Sequence, residues 1–251
     1  HARSILVLDT LSLYAGGLMV DTRVRLQQGQ TEFNDNPFKR PQQNLRVVTP
    51  SAQATVRGTV FRVGVQGDKT REETVEGSVS LAAAGQSVTT GTAQGSVAQA
   101  GLAPTAPRAL LVAPDLSALP QRIEHLPLRF SMPPLSGASS WWAQVARDDR
   151  FAPILAESAN ANPTVSFADL PNGNYMLRVR AVDELGLQGL SARHAFTVHA
   201  RPFAPTLQSP TANATIRQAR ATLRWTAMVD TARYRVQCAP TTDFAALEYE
   251  E

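Results

Sequence analysis

Cysteine is almost absent from this sequence, and its scarcity excludes two classes of protein. Cys238 is the single cysteine among 251 residues, so no disulfide can form within the chain and no zinc site can be built on several thiolates. No apolar run approaches the roughly 18 residues that are typical of a membrane-spanning helix. The sequence therefore indicates neither a disulfide-rich domain nor a segment that spans a membrane.

Lysine is nearly as rare as cysteine. Lys39 and Lys69 are the only lysines among 24 basic residues, the arginines are scattered, and the formal net charge is only +3. Proteins that bind nucleic acid usually cluster basic residues on one face together with stacking aromatics, and aromatics make up only 6% of this chain. We expect no nucleic-acid partner and interpret the arginine excess as a compositional bias.

Motifs that carry catalysis or bind cofactors are also missing. The sequence has no Gly-x-Ser-x-Gly, no phosphate-binding loop and no dinucleotide fingerprint. His194 and His199 are the two histidines nearest to a metal-ligand spacing, but on a strand they point to opposite faces. The adjacent acids Asp148-Asp149 and Asp183-Glu184 are more typical of turns than of paired catalytic carboxylates. We expect no catalytic residue, no metal site and no cofactor, and the prediction is a protein that is not an enzyme.

Short β-strand patterns dominate what is present. The chain is 43% hydrophobic, enough to bury folded cores. Residues 22–26 alternate strictly between polar and apolar side chains, and residues 56–63 and 73–81 are rich in β-branched residues. Turn residues lie at 28–30 and at 67–68. The spacing predicts an all-β protein whose N-terminal part is built of short stacked rungs.

One stretch resembles the FecR domain of bacterial envelope proteins. The resemblance is carried by Thr49-Pro50, Val56-Arg57-Gly58-Thr59 with Phe61, and Val75-Glu76-Gly77-Ser78-Val79. It implies a twisted β-solenoid-like unit, which we assign to residues 1–103, but it implies no ligand. We expect the family residues to be structural: Thr49, Pro50, Arg57, Gly58, Thr59, Phe61 and Gly77. Arg57 is interpreted as a side chain that locks a turn rather than binds a ligand, with Thr59 and Glu76 as its candidate partners.

Residues 104–200 follow a proline-rich linker and show the pattern of a β-sandwich. Strands are predicted at 110–112, 126–130, 141–145, 164–167, 175–182 and 194–198. The segment from Leu170 to Tyr175 resembles the tyrosine corner of fibronectin type III and immunoglobulin-like modules, in which the tyrosine hydroxyl bonds to the upstream backbone. We expect Leu170 and Tyr175 to be structural.

The pattern then begins to repeat in residues 201–251. Gln144-Val145-Ala146 has a counterpart in Gln237-Cys238-Ala239, and Leu128-Arg129-Phe130 has one in Leu223-Arg224-Trp225. A repeat of this length predicts the start of a second, incomplete sandwich. Because half a sandwich cannot bury its apolar face, we expect disorder, cover from a neighbouring chain or a longer parent protein, and a strand-swapped or edge-paired oligomer is one outcome.

Trp142 is the strongest candidate for a partner surface. The repeat aligns Trp141 with the apolar alternation and places Trp142 on the outward face, together with Arg178 and Arg180. An outward tryptophan can anchor an interface with a glycan or a protein. The favoured interpretation is packing against the adjacent domain or against Arg178 or Arg180.

These features predict a non-enzymatic, extracytoplasmic scaffold or sensor, periplasmic or associated with the cell envelope, that binds protein or cell-wall partners. FecR family members, by what the resemblance implies, also include transmembrane regulators that pass an iron-siderophore signal to a sigma factor. The first alternative is therefore the periplasmic part of such a signal transducer. A second alternative is a carbohydrate- or peptidoglycan-binding module that uses exposed aromatics such as Trp142.

Overall fold

The structure is a computed structural model that describes residues 4–14, 19–34, 42–56, 59–201, 205–211, 213–217, 220–228, 231–241, 246 and 249–250. Within these residues the protein is all-β and contains no helix. The described part therefore has no helix that is long and apolar enough to cross a membrane. Arg57 and Gly58, which the family resemblance singled out, lie outside the described residues.

The first part of the chain, which we call the N-terminal domain, forms one 10-stranded sheet. Its strands are Ile5–Tyr14 (β1), Met19–Asn34 (β2), Gln42–Val48 (β3), Gln53–Val56 (β4), Val60–Gln66 (β5), Lys69–Glu76 (β6), Ser78–Ala83 (β7), Gln86–Gly91 (β8), Gln94–Gln99 (β9) and Arg108–Ala109 (β10). The strand order is β10-β9-β6-β5-β2-β3-β4-β7-β8, and β1 pairs with β2. This sheet curves into a nearly closed barrel around an apolar core that includes Leu26, Val47, Phe61, Val63 and Leu81.

The long strand β2 is what allows one sheet to enclose this core. Residues before Gly29 pair with β1 and in parallel with β3, and residues from Gly29 onward pair antiparallel with β5. The turn predicted at residues 28–30 is wrong, because the strand continues through Gly29 with a φ of +89°, a conformation that suits glycine. The strand predicted at 73–81 is likewise two strands, β6 and β7, which are separated at Gly77 with a φ of +88°.

A β-solenoid of stacked rungs is not confirmed. Successive rungs of a solenoid pair in parallel, whereas β2–β3 is the one parallel pair among the described strands of this domain. The glycine turns that suggested rungs instead close antiparallel hairpins, such as β5–β6 at Gly67-Asp68. The predicted linker lies along β9, where Thr105 donates its backbone N–H to the Val97 carbonyl at 2.9 Å.

The second part, which we call the sandwich, packs two sheets around one core. One sheet has five strands in the order β11-β17-β16-β13-β14, and the other is the pair β12-β15. The strands are Arg122–Ile123 (β11), Leu128–Ser131 (β12), Ser140–Ala146 (β13), Ile154–Asn160 (β14), Thr164–Phe167 (β15), Gly173–Val182 (β16) and Ala192–Val198 (β17). Phe130 and Phe196, with ring centroids 5.0 Å apart, lie at the centre of the core between them.

The last part of the chain contains two short antiparallel pairs in its described residues. Leu207–Ser209 (β18) pairs with Arg224–Trp225 (β19), and Gln237–Cys238 (β20) pairs with Tyr249–Glu250 (β21). The Trp225 and Tyr234 rings lie 5.6 Å apart between centroids. The division of the chain at residues 103 and 200, and the second sandwich copy after it, stay predictions.

Candidate functional site

One face of the N-terminal sheet carries a row of charged side chains on three neighbouring strands. In β5, Phe61 and Val63 point into the core, so Arg62 between them points to the opposite face. The register places Glu32 of β2 and Glu73 of β6 directly opposite Arg62. Arg62 and Glu73 are nevertheless only 1% and 2% exposed, because the sandwich covers this face of the sheet.

Strands β13 and β16 of the sandwich form the face that packs over this row of charged side chains. Trp142 lies opposite Arg180, and Gln144 lies opposite Arg178, in the antiparallel pair of these strands. The Arg180 Cζ atom is 5.0 Å from the centroid of the Trp142 ring, and the Arg178 Cζ atom is 6.0 Å from it, within the range of a cation–π contact. The structure thus brings together the three residues that the sequence proposed as a partner surface.

A buried hydrogen-bond network joins the two domains through the loop before β17. Arg62 Nη2 donates to the backbone carbonyls of Gln188 at 2.6 Å and Gly189 at 2.9 Å. Its Nε donates to Glu73 Oε2 at 2.9 Å, and Glu73 Oε1 accepts the Gln188 backbone N–H at 2.9 Å. The side-chain amides of Gln188 and Gln30 exchange hydrogen bonds at 2.9 and 3.0 Å. The contact between the domains is therefore specified by directional polar groups.

Glu32 is the carboxylate that holds the two arginines of the sandwich. Its Oε2 accepts from Arg180 Nη2 at 2.6 Å and from Arg178 Nη1 at 3.2 Å. Burial alone would raise the pKa of Glu32, but the positive charges of Arg180 and Arg178 outweigh burial, and the pKa is lowered. Burial, reinforced by the charge of Arg62, lowers the pKa of Arg180 to about 10. These groups are therefore charged at neutral pH and form ion pairs across the domain junction.

A groove of about 380 Å³ opens beside this junction. The groove is bounded by the start of β1 and the end of β2 on one side and by the strands β13, β14 and β16 of the sandwich on the other. Its lining residues are Ser4, Gln30, Thr31, Glu32, Trp142, Gln144, Ile154, Leu155, Ala156, Glu157, Arg178 and Arg180. We call it the interdomain groove. It is the place where the candidate partner surface meets solvent.

The accessible charges of the interdomain groove are acidic. Glu157 is exposed, and the Glu32 side chain keeps 36% of its surface, whereas the Arg178 and Arg180 side chains keep 9% and 1%. Gln144 donates to Glu157 at 2.5 Å and accepts from Arg178 Nε at 3.2 Å. A ligand in the groove therefore meets carboxylates and the half-buried Trp142 ring rather than free guanidinium groups.

Sequence reasoning missed the residues that join the domains, namely Glu32, Arg62, Glu73 and Gln188. One local signal was available, since Arg62 interrupts an otherwise apolar strand, and a charge in that position indicates a polar partner. Its partners across the junction lie 126 and 127 residues away in sequence. No local pattern could therefore have identified them.

The family residues that the structure describes hold turns and core contacts, away from the interdomain groove. Thr49 Oγ1 donates to the Ala52 carbonyl at 2.9 Å and accepts the Ala52 N–H at 3.0 Å, which closes the turn around the exposed Pro50. Phe61 is fully buried and stacks on Phe33 with 4.8 Å between ring centroids. Thr59 is 1% exposed, and Gly77 separates β6 from β7. Glu76, a candidate partner of Arg57, is exposed.

Tyr175 occupies the corner before the long strand β16. Its hydroxyl donates to the Pro171 carbonyl at 2.7 Å, which is the contact that a tyrosine corner requires. The Arg147 Cζ atom lies 4.4 Å from the ring centroid, and Leu170 is buried in the core. These residues fix the loop before β16 and lie outside the interdomain groove.

Nothing in the described part of the chain resembles a metal centre, since no group of three or more His, Cys, Asp or Glu residues that could hold an ion is found there. His194 Nε2 lies 3.0 Å from the Pro120 carbonyl oxygen. This contact ties β17 to the segment before β11.

Residues 4–80 match the family model of the FecR protein. Because the match covers most of the N-terminal domain, we call this domain the FecR domain. The match covers the β1–β6 strands and the first residues of β7, including the described family residues. It stops before the sandwich, so the family match does not extend to the other side of the interdomain groove. No curated protein matches the chain.

Solved structures show weak similarity over parts of the chain. Two crystal structures of a protein designated an anti-sigma factor from Parabacteroides distasonis are 13% and 10% identical to this chain, with TM-scores of 0.34 and 0.32. Each match covers 43% of this chain. The matches cover 49% of the first crystallised chain and 55% of the second. The extracellular domain of a protein designated a hybrid two-component system from B. thetaiotaomicron is 10% identical, with a TM-score of 0.24, over 60% of this chain and 30% of that chain. The chain spans about half the length of the first two structures.

Proposed function

We propose that this chain is a non-enzymatic, extracytoplasmic part of a FecR-type envelope protein that transmits a signal by binding another protein. The observation that carries the proposal is the FecR match over residues 4–80. As the family resemblance implies, such domains pass a signal from an outer-membrane receptor to a sigma factor. The signal that this chain would carry is one of iron-siderophore uptake.

The domain junction supports a role in transmission. Arg62, Glu73 and Gln188 connect the FecR domain to the sandwich through buried, directional hydrogen bonds. A partner that binds at either domain would therefore shift both together. The carboxylates Glu72 and Glu73 are 0% and 2% exposed, so they are enclosed in the protein rather than presented to a substrate, which supports a role other than catalysis.

A second candidate function is a wall-associated scaffold, favoured by the architecture of the sandwich. We propose that this domain is a fibronectin type III-like module, and the two-sheet arrangement with the Tyr175–Pro171 hydrogen bond supports the assignment. By what the family resemblance implies, FecR domains also occur in periplasmic or surface proteins beside immunoglobulin-like repeats. In this case the FecR domain and the sandwich would together hold a protein or a peptidoglycan partner in the envelope.

A side-by-side retention experiment separates the two functions. The purified chain is immobilised and exposed in parallel to isolated peptidoglycan and to solubilised outer-membrane proteins. Capture of an outer-membrane receptor is the expected result and supports the signalling role. Retention on peptidoglycan alone would support the scaffold, and Trp142→Ala would then test whether the tryptophan carries carbohydrate binding. Retention on neither contradicts both functions.

A further inference from the structure

Among the described residues, two strands near the interdomain groove each have an edge that pairs with no other strand. In the part of the chain that the structure describes, β14 pairs only with β13, and it ends the five-stranded sheet. β1 likewise pairs only with β2. A free edge presents unpaired backbone N–H and C=O groups that can accept an additional strand. Both edges are therefore chemically suited to bind an extended polypeptide.

The interdomain groove lies over the outward face of the five-stranded sheet and also reaches the free edge of β14. Its lining includes four consecutive residues, Ile154 to Glu157. Because successive side chains of a strand point to opposite faces, contact with four residues in a row means that the groove reaches the strand edge. An occupant of the groove is thus placed where it could pair with the β14 backbone.

The free edges are also apolar. Ile154 and Leu155 at the start of β14 are 42% and 43% exposed, and Leu6 and Leu8 of β1 are 49% and 59% exposed. β1 continues from the groove, because Ser4 lines it and exchanges hydrogen bonds with the Gln30 backbone at 3.1 Å. Exposed strand edges are usually protected by lysine or proline, and neither residue occurs in β1 or β14. Apolar side chains of a partner would therefore find contacts at both walls.

The negative charge of the groove favours extended partners that carry basic side chains. The accessible charges of the groove are the carboxylates of Glu32 and Glu157, while the arginines beneath them are buried and already paired with Glu32. A basic side chain in the groove would gain from both carboxylates, whereas an acidic one would be repelled. Complementary potentials of this kind favour one partner over another.

We propose that the interdomain groove binds an extended segment of a partner protein that adds a β-strand to the free edge of β14. This segment carries apolar side chains for Ile154 and Leu155 and a basic side chain for Glu157 and Glu32. The proposal rests on the proposed protein-binding function and names the site and the class of ligand. It also gives Trp142 a role, since its half-buried ring lines the groove next to the added strand.

The test uses labelled peptides and the full chain. A fluorescein-labelled nonapeptide that alternates valine with threonine and lysine is titrated with the protein, and fluorescence anisotropy is measured. A second peptide has glutamate in place of lysine, and a third has proline at two valines, which removes N–H donors needed for strand pairing. We expect the lysine peptide to bind about tenfold more tightly than either control, because both charge and backbone pairing contribute to affinity.

Variants of the protein locate the binding site. Leu155→Ser and Glu157→Lys should each weaken binding of the lysine peptide, by roughly threefold to tenfold for changes at an interface rim. Leu102→Ser is the matched control, since Leu102 is 58% exposed and lies outside the groove; it should leave binding unchanged. Equal binding of the three peptides, or no binding of any, overturns the proposal. So does a dimer of the chain that Leu155→Ser dissociates, because a second copy would then occupy the edge.

The same variants distinguish failure of this proposal from failure of the proposed function. If the wild-type chain captures an envelope protein and Leu155→Ser and Glu157→Lys capture it equally well, the protein-binding function stands and the groove is not its site. If capture falls with both variants and persists with Leu102→Ser, the groove is the site of that function.

Discussion

Glu72 is a buried carboxyl surrounded by hydroxyl groups rather than by cations. Thr74 Oγ1 lies 2.7 Å from Glu72 Oε1, and Thr90 Oγ1 lies 2.7 Å from Glu72 Oε2. The two hydroxyl oxygens are also 2.8 Å apart. Thr90 Oγ1 makes a further contact of 3.2 Å with the Val79 carbonyl oxygen. The two hydroxyl protons cannot satisfy all these contacts while Glu72 is ionised. A protonated carboxyl supplies a further proton, so the geometry favours the neutral form.

The electrostatic surroundings of Glu72 point the same way. Burial raises the pKa of Glu72 from 4.5 to about 7, and the negative charge of Glu73 adds to this rise. The hydrogen bonds from Thr74 and Thr90 and the positive charge of Arg62 act in the opposite direction. A folded-state pKa above the unfolded value means that the folded protein holds the proton more tightly. The resulting contribution to stability is complete below about pH 4.5, declines as the pH rises and is lost above about pH 7.

Glu72→Gln should therefore stabilise the protein at alkaline pH. Glutamine keeps the shape of the neutral side chain and cannot ionise, so the variant avoids the cost of a buried charge, about 3 kcal/mol for a shift of this size. Urea unfolding between pH 5 and pH 9 measures the effect, with a gain over wild type that grows up to about pH 7. Glu76→Gln, at an exposed position of the same strand, is the control. Parallel pH profiles for wild type and Glu72→Gln would show that Glu72 ionises normally in the folded protein.

At the scale of elements, segments rich in β-branched and aromatic residues predicted strands well, and segments poor in them did not. The strands predicted at 141–145, 164–167, 175–182 and 194–198 correspond to β13, β15, β16 and β17. β14 was missed, because after Ile154 and Leu155 it contains alanine, glutamate, serine and asparagine, which have low or context-dependent β propensity. Its pairing with β13 fixes it instead, and pairing between separate segments is not encoded in a local pattern.

Gly29 is the position where the backbone of β2 most clearly requires glycine. Its φ is +89°, and an added Cβ atom would lie 2.3 Å from Ser4 Oγ and 2.6 Å from Ser4 Cα. Gly29→Ala should lower stability by about 1–3 kcal/mol through backbone strain and should also displace the start of β1. Thermal unfolding measures the first effect, and hydrogen exchange of the β1 amides measures the second.

Gly64→Ala is the matched control for this substitution. Gly64 also lies in a strand of the FecR domain, but its φ is not in the left-handed region and the nearest atom to an added Cβ is 3.8 Å away. We expect a much smaller loss of stability there. Equal losses for the two variants would show that the requirement for glycine at position 29 does not come from its left-handed backbone conformation.

At the scale of the whole molecule, the sequence identified half of the domain junction. Alternation along β16 and the repeat placed Trp142, Arg178 and Arg180 on one outward face, and the structure brings them together. Their acidic partner, Glu32, lies 146 and 148 residues away from the two arginines. It was not predicted because such a distant contact depends on how two domains pack. The FecR motif residues identified the family but lie apart from this junction.

The junction couples the two domains energetically. Separating them would break the hydrogen bonds of Arg62 and Gln188 and expose Leu187, which is 1% exposed and packs close to Gly95 of the FecR domain. We therefore expect the FecR domain and the sandwich to unfold in one main cooperative transition. This coupling is what the proposed signalling role requires, since a domain that moves independently transmits nothing to its neighbour.

Glu32→Gln should uncouple the domains. The substitution removes the carboxylate shared by Arg178 and Arg180. Removing the counter-charge of the buried Arg180 should cost about 1–3 kcal/mol, less than for a fully buried pair because the Glu32 side chain keeps 36% of its surface in solvent. Differential scanning calorimetry should then resolve two transitions where wild type shows one. Asp9→Asn is the control, because Asp9 forms ion pairs with Arg23 and Arg25 at the surface of the same β2 strand, where such pairs contribute little. A single, unshifted transition in Glu32→Gln would mean that the ion pairs of Glu32 do not couple the domains, and that the hydrogen bonds of Arg62 and Gln188 together with the apolar contact of Leu187 hold them together.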